Sequence, residues 1–261
     1  MRLRSKVWLP ASILLALAST CWAQAPQPGK NKVMVRGQAQ DVYFLPGAGA
    51  GPHRKVLFAP GDGGWGGFAT TIGERLAAEG YDVYGLDTRH YLQSFTGSAV
   101  LTPAQIGADL RALAQWAAPG SKERILLVGW SEGAGLGLAA ASDPNNREIF
   151  AGMVSVGTTE FNILAWRWRD ITAEITRSLP HEPTFKSVDY IGKVSPLPLA
   201  VIASTHDEFV TPEMTRTLYA AAGEPKRLVM IDADNHKYGG KSAEFFAALR
   251  EDLLWIQQQH R

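Results

Sequence analysis

Arg124-Ile125-Leu126-Leu127-Val128-Gly129-Trp130-Ser131-Glu132-Gly133-Ala134-Gly135-Leu136-Gly137 is the stretch on which the fold of this chain turns. Its first half is an unbroken apolar run, the pattern of a parallel strand buried on both faces. Its second half, continuing to Ala141, is built of small residues and reads as a helix able to lie close against a sheet. Between them stands Gly129-x-Ser131-x-Gly133. A serine on so sharp a strand-to-helix turn needs neighbours without a Cβ. The spacing therefore predicts a nucleophile elbow, with Ser131 raised above the end of its strand.

Outward from this point the chain alternates strand and helix. Lys32–Arg36 and Gln40–Leu45 read as an antiparallel hairpin at a sheet edge. Lys55–Pro60, Asp82–Asp87, Arg124–Gly129, Gly152–Gly157, Leu199–Ser204 and Arg227–Ile231 read as further strands. Helices are expected over Phe68–Ala78, from the Thr102-Pro103 start signal to about Ala117, from Thr211-Pro212, and over Ser242–Gln257. The alternation implies an α/β chain with a mostly parallel central sheet and helices on both faces. Residues 158–194 break the rhythm. With no clear strand, and with Trp166, Arg167, Trp168 and Arg169, they are expected to form a small lid insertion over the C-terminal ends of the strands. These aromatic and basic residues would also suit peripheral contact with a lipid surface.

A serine nucleophile needs a base, and the base needs an orienting carboxylate. Asp207 follows the Leu199–Ser204 strand and His236 follows the Arg227–Ile231 strand, in the order serine, acid, histidine. Ser131, Asp207 and His236 are thus the candidate triad, with Glu208 as a rival acid. His53, His181 and His260 fit the base role less well, and His206 suits a supporting position beside the acid. The oxyanion donors are expected to be the backbone N–H groups of Glu132 and of Asp62, the latter in the glycine-rich loop Gly61-Asp62-Gly63-Gly64-Trp65. That loop also reads as a plain turn capping the next helix. The Glu132 side chain, a carboxylate beside the nucleophile, is expected to point away or to pair with an arginine. Trp65 and Trp130 are candidates either for lining the substrate pocket or for the core. Arg89 and His90, in the segment Asp87–Tyr91 after a strand end, are candidate substrate contacts or members of a structural loop.

The bulk composition excludes several classes. The 261 residues carry 26 Lys and Arg against 25 Asp and Glu, so nothing points to the basic face or stripe that nucleic acid requires, and no nucleic-acid partner is expected. The Gly61–Gly67 stretch lacks the Lys-Ser/Thr ending of a P-loop, and there is no metal-ligand spacing. No cofactor and no metal are expected. The partner is a small-molecule or lipid ester, and the oligomeric state is left open. Arg2, Arg4 and Lys6 before the short apolar run Val7–Ala18 read as a signal peptide cleaved after Ala23. Its removal leaves a slightly acidic, cysteine-free chain, because Cys21 is the single cysteine. A lipoprotein anchored through Cys21 is the alternative. Either way the protein is expected to be periplasmic or secreted, with a flexible start and edge strands over 24–50 and a catalytic domain over 51–261.

Taken together, the elbow, the Gly61–Trp65 loop, Asp207 and His236 resemble the α/β-hydrolase superfamily. Within it, Gly61-Asp62-Gly63-Gly64-Trp65, Gly85-Leu86-Asp87 with Arg89 and Tyr91, Thr102-Pro103 and the elbow are similar to the bacterial virulence protein VirJ family, which includes the C-terminal domain of AcvB. Glu132 departs from that family's aromatic or apolar residue after the serine. The resemblance implies a periplasmic hydrolase, and for AcvB-like members cleavage of the aminoacyl ester on phosphatidylglycerol. A dienelactone-hydrolase-like or general carboxylesterase fold is the rival likeness. The same residues would also serve an acyltransferase, or a binding factor of an envelope or secretion complex built on a hydrolase fold.

Overall fold

The computed structural model describes residues 25–97, 101–167 and 183–259. The expected signal peptide with Cys21, Trp168, Arg169 and His181 of the expected lid insertion, and His260 lie outside the described residues.

Ten strands are present among the described residues: β1 (Gly29–Val35), β2 (Gln38–Leu45), β3 (Lys55–Ala59), β4 (Asp82–Leu86), β5 (Ile125–Trp130), β6 (Phe150–Val156), β7 (Phe161–Ile163), β8 (Thr184–Lys186), β9 (Leu199–Ser204) and β10 (Lys226–Ile231). Eight of them form one sheet in the order β1-β2-β4-β3-β5-β6-β9-β10. The β1–β2 hairpin and its junction with β4 are antiparallel, and every other pairing is parallel. Every residue of β5, β6 and β9 is buried, which explains their almost wholly apolar sequences, Ser155 and Ser204 being the exceptions.

Alternate residues of these strands feed two cores. Leu126 and Val128 pack with α1 (Phe68–Ala78) and the C-terminal helix, while Leu127 packs on the opposite face with α3 (Pro103–Ala117) and α4 (Glu132–Ala141). The remaining α-helices among the described residues are α2 (Thr88–Ser94), the short α5 (Val188–Ile191), α6 (Pro212–Ala221) and α7 (Ser242–Gln258). The proline start signals act as expected. Thr102 accepts the Gln105 N–H while Gln105 Oε1 accepts the Thr102 N–H, a complete capping box. Thr211 accepts from Met214 N.

Two segments differ from the sequence reading. Asp87–Tyr91 is not a loop: Asp87 caps α2 by accepting the His90 N–H at 3.1 Å. The insertion does contain strands, since β7 and β8 pair antiparallel, Ile163 opposite Thr184. Three residues are too few to display a period-two pattern, so these strands are invisible to periodicity. The edge hairpin is tied down by charge. Arg36, in the β1–β2 turn, forks onto buried Asp109 of α3 with bonds of 2.8–3.0 Å, and Tyr91 adds its hydroxyl at 2.7 Å.

Candidate active site

Because the six strands from β4 to β10 run parallel, their following loops gather at one edge of the sheet. Ser131 stands there between β5 and α4 with φ 56° and ψ −125°, a conformation costly for any residue with a Cβ. Close packing fixes it in place. A Cβ at Gly129 would overlap the Gly133 carbonyl, and one at Gly133 would overlap the carbonyls of Ala59 and Pro60. The two glycines of the motif are required because backbone runs against backbone on both sides of the serine.

His236 lies on the loop after β10 and is 4% exposed. Its Nδ1 is 2.6 Å from Asp207 Oδ2. A carboxylate can only accept, so Nδ1 carries the proton and Nε2 presents its lone pair. Nε2 is buried and carries no hydrogen bond among the described residues. Asp207 is held in turn by the N–H groups of Phe209 (2.8 Å) and Val210 (2.9 Å) on Oδ1. Glu208, the rival acid, does not reach the imidazole; its Oε2 accepts the His236 backbone N–H at 2.8 Å. Ser131, His236, Asp62 and Glu132 share a cleft of about 420 Å³, together with Trp130, Phe68, Phe209 and Thr159.

The Asp62 loop is braced from α2. Thr88 Oγ1 donates to the Pro60 carbonyl at 2.8 Å and Arg89 Nε to the Asp62 carbonyl at 3.2 Å. Burial pushes the Asp62 carboxyl up, against the pull of the Arg89 guanidinium and of the Gly63 amide. Glu132 N opens α4, and so belongs to the first-turn N–H groups that have no intrahelical acceptor. The Glu132 side chain meets no arginine among the described residues. It turns into the protein and accepts the Ile163 N–H at 2.9 Å.

Several predicted contacts are placed elsewhere. Trp65 is a core residue: it stacks on Tyr43 with centroids 5.1 Å apart and fills the space left by Gly85 and Gly73. Arg89 lies over Trp166 at 4.8 Å and supports the loop rather than lining the cleft. The His90 ring bonds the Ala39 carbonyl at 2.9 Å, and His206 is exposed beside Asp232. Trp166 is 4% exposed, so this part of the insertion packs inward rather than offering an outer aromatic face. Trp130 does line the cleft and lies 5.5 Å from the His236 ring. Sequence reasoning did not single out Phe68, Phe209 or Gly157. Phe209 edges onto His236 at 5.4 Å, and a Cβ at Gly157 would come within 2.7 Å of His236 Cε1. The turn signal Val156-Gly157-Thr158 was the available hint for the last of these.

Residues 54–182 match the bacterial virulence protein (VirJ) family. An uncharacterized protein of Mycobacterium tuberculosis is 29% identical over 231 residues, covering 81% of this chain and 76% of its own. Est1E from Butyrivibrio proteoclasticus superposes with a TM-score of 0.65 at 16% identity, over 88% of this chain and 99% of that one. The Pyrococcus furiosus esterase Pf2001 superposes at 0.67 and 18% identity, over 88% and 91%. This is the α/β-hydrolase fold. A putative dienelactone hydrolase from Klebsiella pneumoniae shares it, with a TM-score of 0.61, 17% identity, and coverage of 88% and 98%. The VirJ-like stretch holds the Asp62 loop and the Ser131 elbow, whereas Asp207 and His236 lie beyond its end.

Proposed function

We propose that this protein is a serine hydrolase that cleaves a carboxylic ester through Ser131, His236 and Asp207. The observation that carries this reading is the His236–Asp207 bond of 2.6 Å, which leaves an unpartnered Nε2 in the cleft that holds the strained serine. Ser131 Oγ attacks the ester carbonyl while His236 Nε2 takes its proton. Asp207 holds the imidazolium that forms. The amides of Glu132 and Asp62 donate to the oxyanion of the tetrahedral intermediate, a contribution of about 3–4 kcal/mol for each such donor in comparable enzymes. Collapse expels the alcohol, which regains the proton from Nε2. Water, activated by the same nitrogen, then releases the acid from the acyl-enzyme.

The apolar lining of Trp130, Phe68 and Phe209 suits the acyl part of such an ester. The VirJ-like stretch makes aminoacyl phosphatidylglycerol the first lipid to offer, and the N-terminal basic and apolar run supports export to the compartment where such a lipid is met. The experiment is fluorophosphonate labelling of the purified protein beside Ser131→Ala and His236→Ala. Labelling absent from Ser131→Ala and weak in His236→Ala is expected, with turnover of short acyl esters reduced by about 10⁶ in the serine variant. A Ser131→Ala protein labelled like the wild type would end this reading.

A further inference from the structure

Glu132 has a second role that the elbow itself does not require. Its side chain is buried at 7% exposure beside the cleft and reaches across to Ile163 N, 31 residues along the chain. Ile163 ends β7, the lid strand that pairs with β8. One turn further along α4, the Asn162 amide lies so close to Gly135 that a Cβ there would overlap it. Asn162 accepts from Thr159 Oγ1 at 2.9 Å and donates to Ser187 Oγ at 2.8 Å, and Ser187 donates to the Thr159 carbonyl at 2.7 Å. The Thr159–Asn162–Ser187 bonds tie β7 to the start of the short helix after β8, and Asn162 packs against Gly135 of α4. The hydrogen bond from β7 to α4 is the one Glu132 accepts, and Glu132 is adjacent in sequence to the nucleophile.

We propose that Glu132 is a positioning residue whose carboxyl clamps strand β7 to the turn that carries Ser131 and the oxyanion amide. Its catalytic consequence rests on the serine-hydrolase reading; the clamp itself rests on the geometry alone. Burial holds the Glu132 carboxyl well above the usual carboxylate range, and the nearby Asp62 carboxylate adds to this, against the Ile163 N–H. Asp62 faces Glu132 from the loop after β3, and β7 presents the Ile163 N–H. Glu208, His236 and Lys237 are the other titratable groups lining the cleft, and Arg89 stands behind Asp62 on α2. An ionised Glu132 would set a negative charge beside a developing oxyanion; the neutral acid does not, and it still accepts the Ile163 bond.

The test is hydrolysis of p-nitrophenyl butyrate from roughly pH 6 to 10, with hydrogen exchange at the Ile163 amide read in parallel. Glu132→Gln keeps an acceptor for Ile163 and cannot ionise. It is expected to keep the Ile163 amide protected and to restore most of the kcat/KM that Glu132→Ala loses. Glu132→Ala is expected to lower kcat/KM by about 10- to 100-fold at every pH and to speed Ile163 exchange. A Glu132→Gln protein as slow as Glu132→Ala and as unprotected at Ile163, or a Glu132→Ala protein with wild-type rate and a protected Ile163 amide, overturns the proposal. If Glu132→Ala does not fold, Ile163 exchange in Glu132→Gln decides: protection supports the clamp and its loss overturns it. A wild type inert to the ester and to fluorophosphonate would instead remove the serine-hydrolase reading. Ile163 exchange in Glu132→Gln and Glu132→Ala would then judge the clamp by itself.

Discussion

At the scale of single residues, the site works by restricting motion. Ser131 is held in a left-handed conformation by backbone packed against Gly129 and Gly133, and the His236 ring is fenced by Asp207, Trp130, Phe209 and Gly157. Gly157 has φ 54° and lies against the ring, so a methyl group there meets both backbone strain and the imidazole. With His236 as the base proposed above, Gly157→Ala is expected to lower kcat by about 10- to 100-fold, because displacing the imidazole by a fraction of an ångström misaligns proton transfer. Steady-state kinetics with a short acyl ester, beside a circular dichroism spectrum showing the fold retained, checks this. The motif residues were legible in the sequence because their requirement is local. The partner of the Glu132 side chain was not, because Ile163 meets it only when the insertion folds back over α4.

Secondary-structure elements differ in how openly the sequence displays them. Thr102-Pro103-x-Gln105 states the start of α3 in four residues, and the reciprocal bonds of the capping box are present. Thr102→Ala removes the side-chain acceptor for Gln105 N and is expected to cost about 1 kcal/mol, read as a shift in the urea midpoint with an unchanged slope. The helix should remain, because Ile106, Leu110 and Leu113 bury its apolar face. The strands of the sheet interior were equally plain, since burial on both faces demands runs such as Ile125–Val128. Strands β7 and β8 were hidden for the converse reason. Three-residue strands are stabilised by tertiary contacts, here the Glu132 carboxyl on Ile163 and the Asn162–Ser187 bond between the two strand segments, rather than by a pattern of their own. The helix α2 was missed because Asp87-Thr88-Arg89-His90 was read for chemistry and not as a cap and first turn.

For the whole molecule, stability is coupled to pH through buried carboxyls distant from the cleft. Asp252, on the inner face of α7, is fully buried, and burial raises its carboxyl from 3.8 to about 7 against the pull of Arg227. Arg227 Nε is 2.9 Å from Oδ1 yet out of line, so neither oxygen receives a well-formed hydrogen bond. The folded state therefore keeps a proton that the unfolded chain releases near 3.8. The stability this adds is fully present below that value and is lost as the pH rises through about 7. Asp252→Asn, which cannot ionise, is expected to flatten the fall in stability between roughly pH 4 and 7 and to raise Tm at pH 8. Thermal unfolding at several pH values measures it, and a variant with the wild type's pH slope would contradict it.

The sequence by itself determined the sheet, its parallel sense, the helix starts and the sharp turn at Ser131. Each follows from apolar runs, caps and small residues within a few positions of one another. It also placed Asp207 and His236 at strand ends, because a parallel sheet sends every such end to the same edge. Only the tertiary structure decided which neighbours those residues meet. It put Trp65 in the core, where Gly73 and Gly85 leave room for an indole, and kept Trp130 in the cleft. It set Glu208 on the His236 backbone rather than on the ring, and turned the Glu132 carboxyl onto β7. These are contacts between different segments of the chain, and their partners are chosen by packing once the sheet has formed, not by any pattern along the chain.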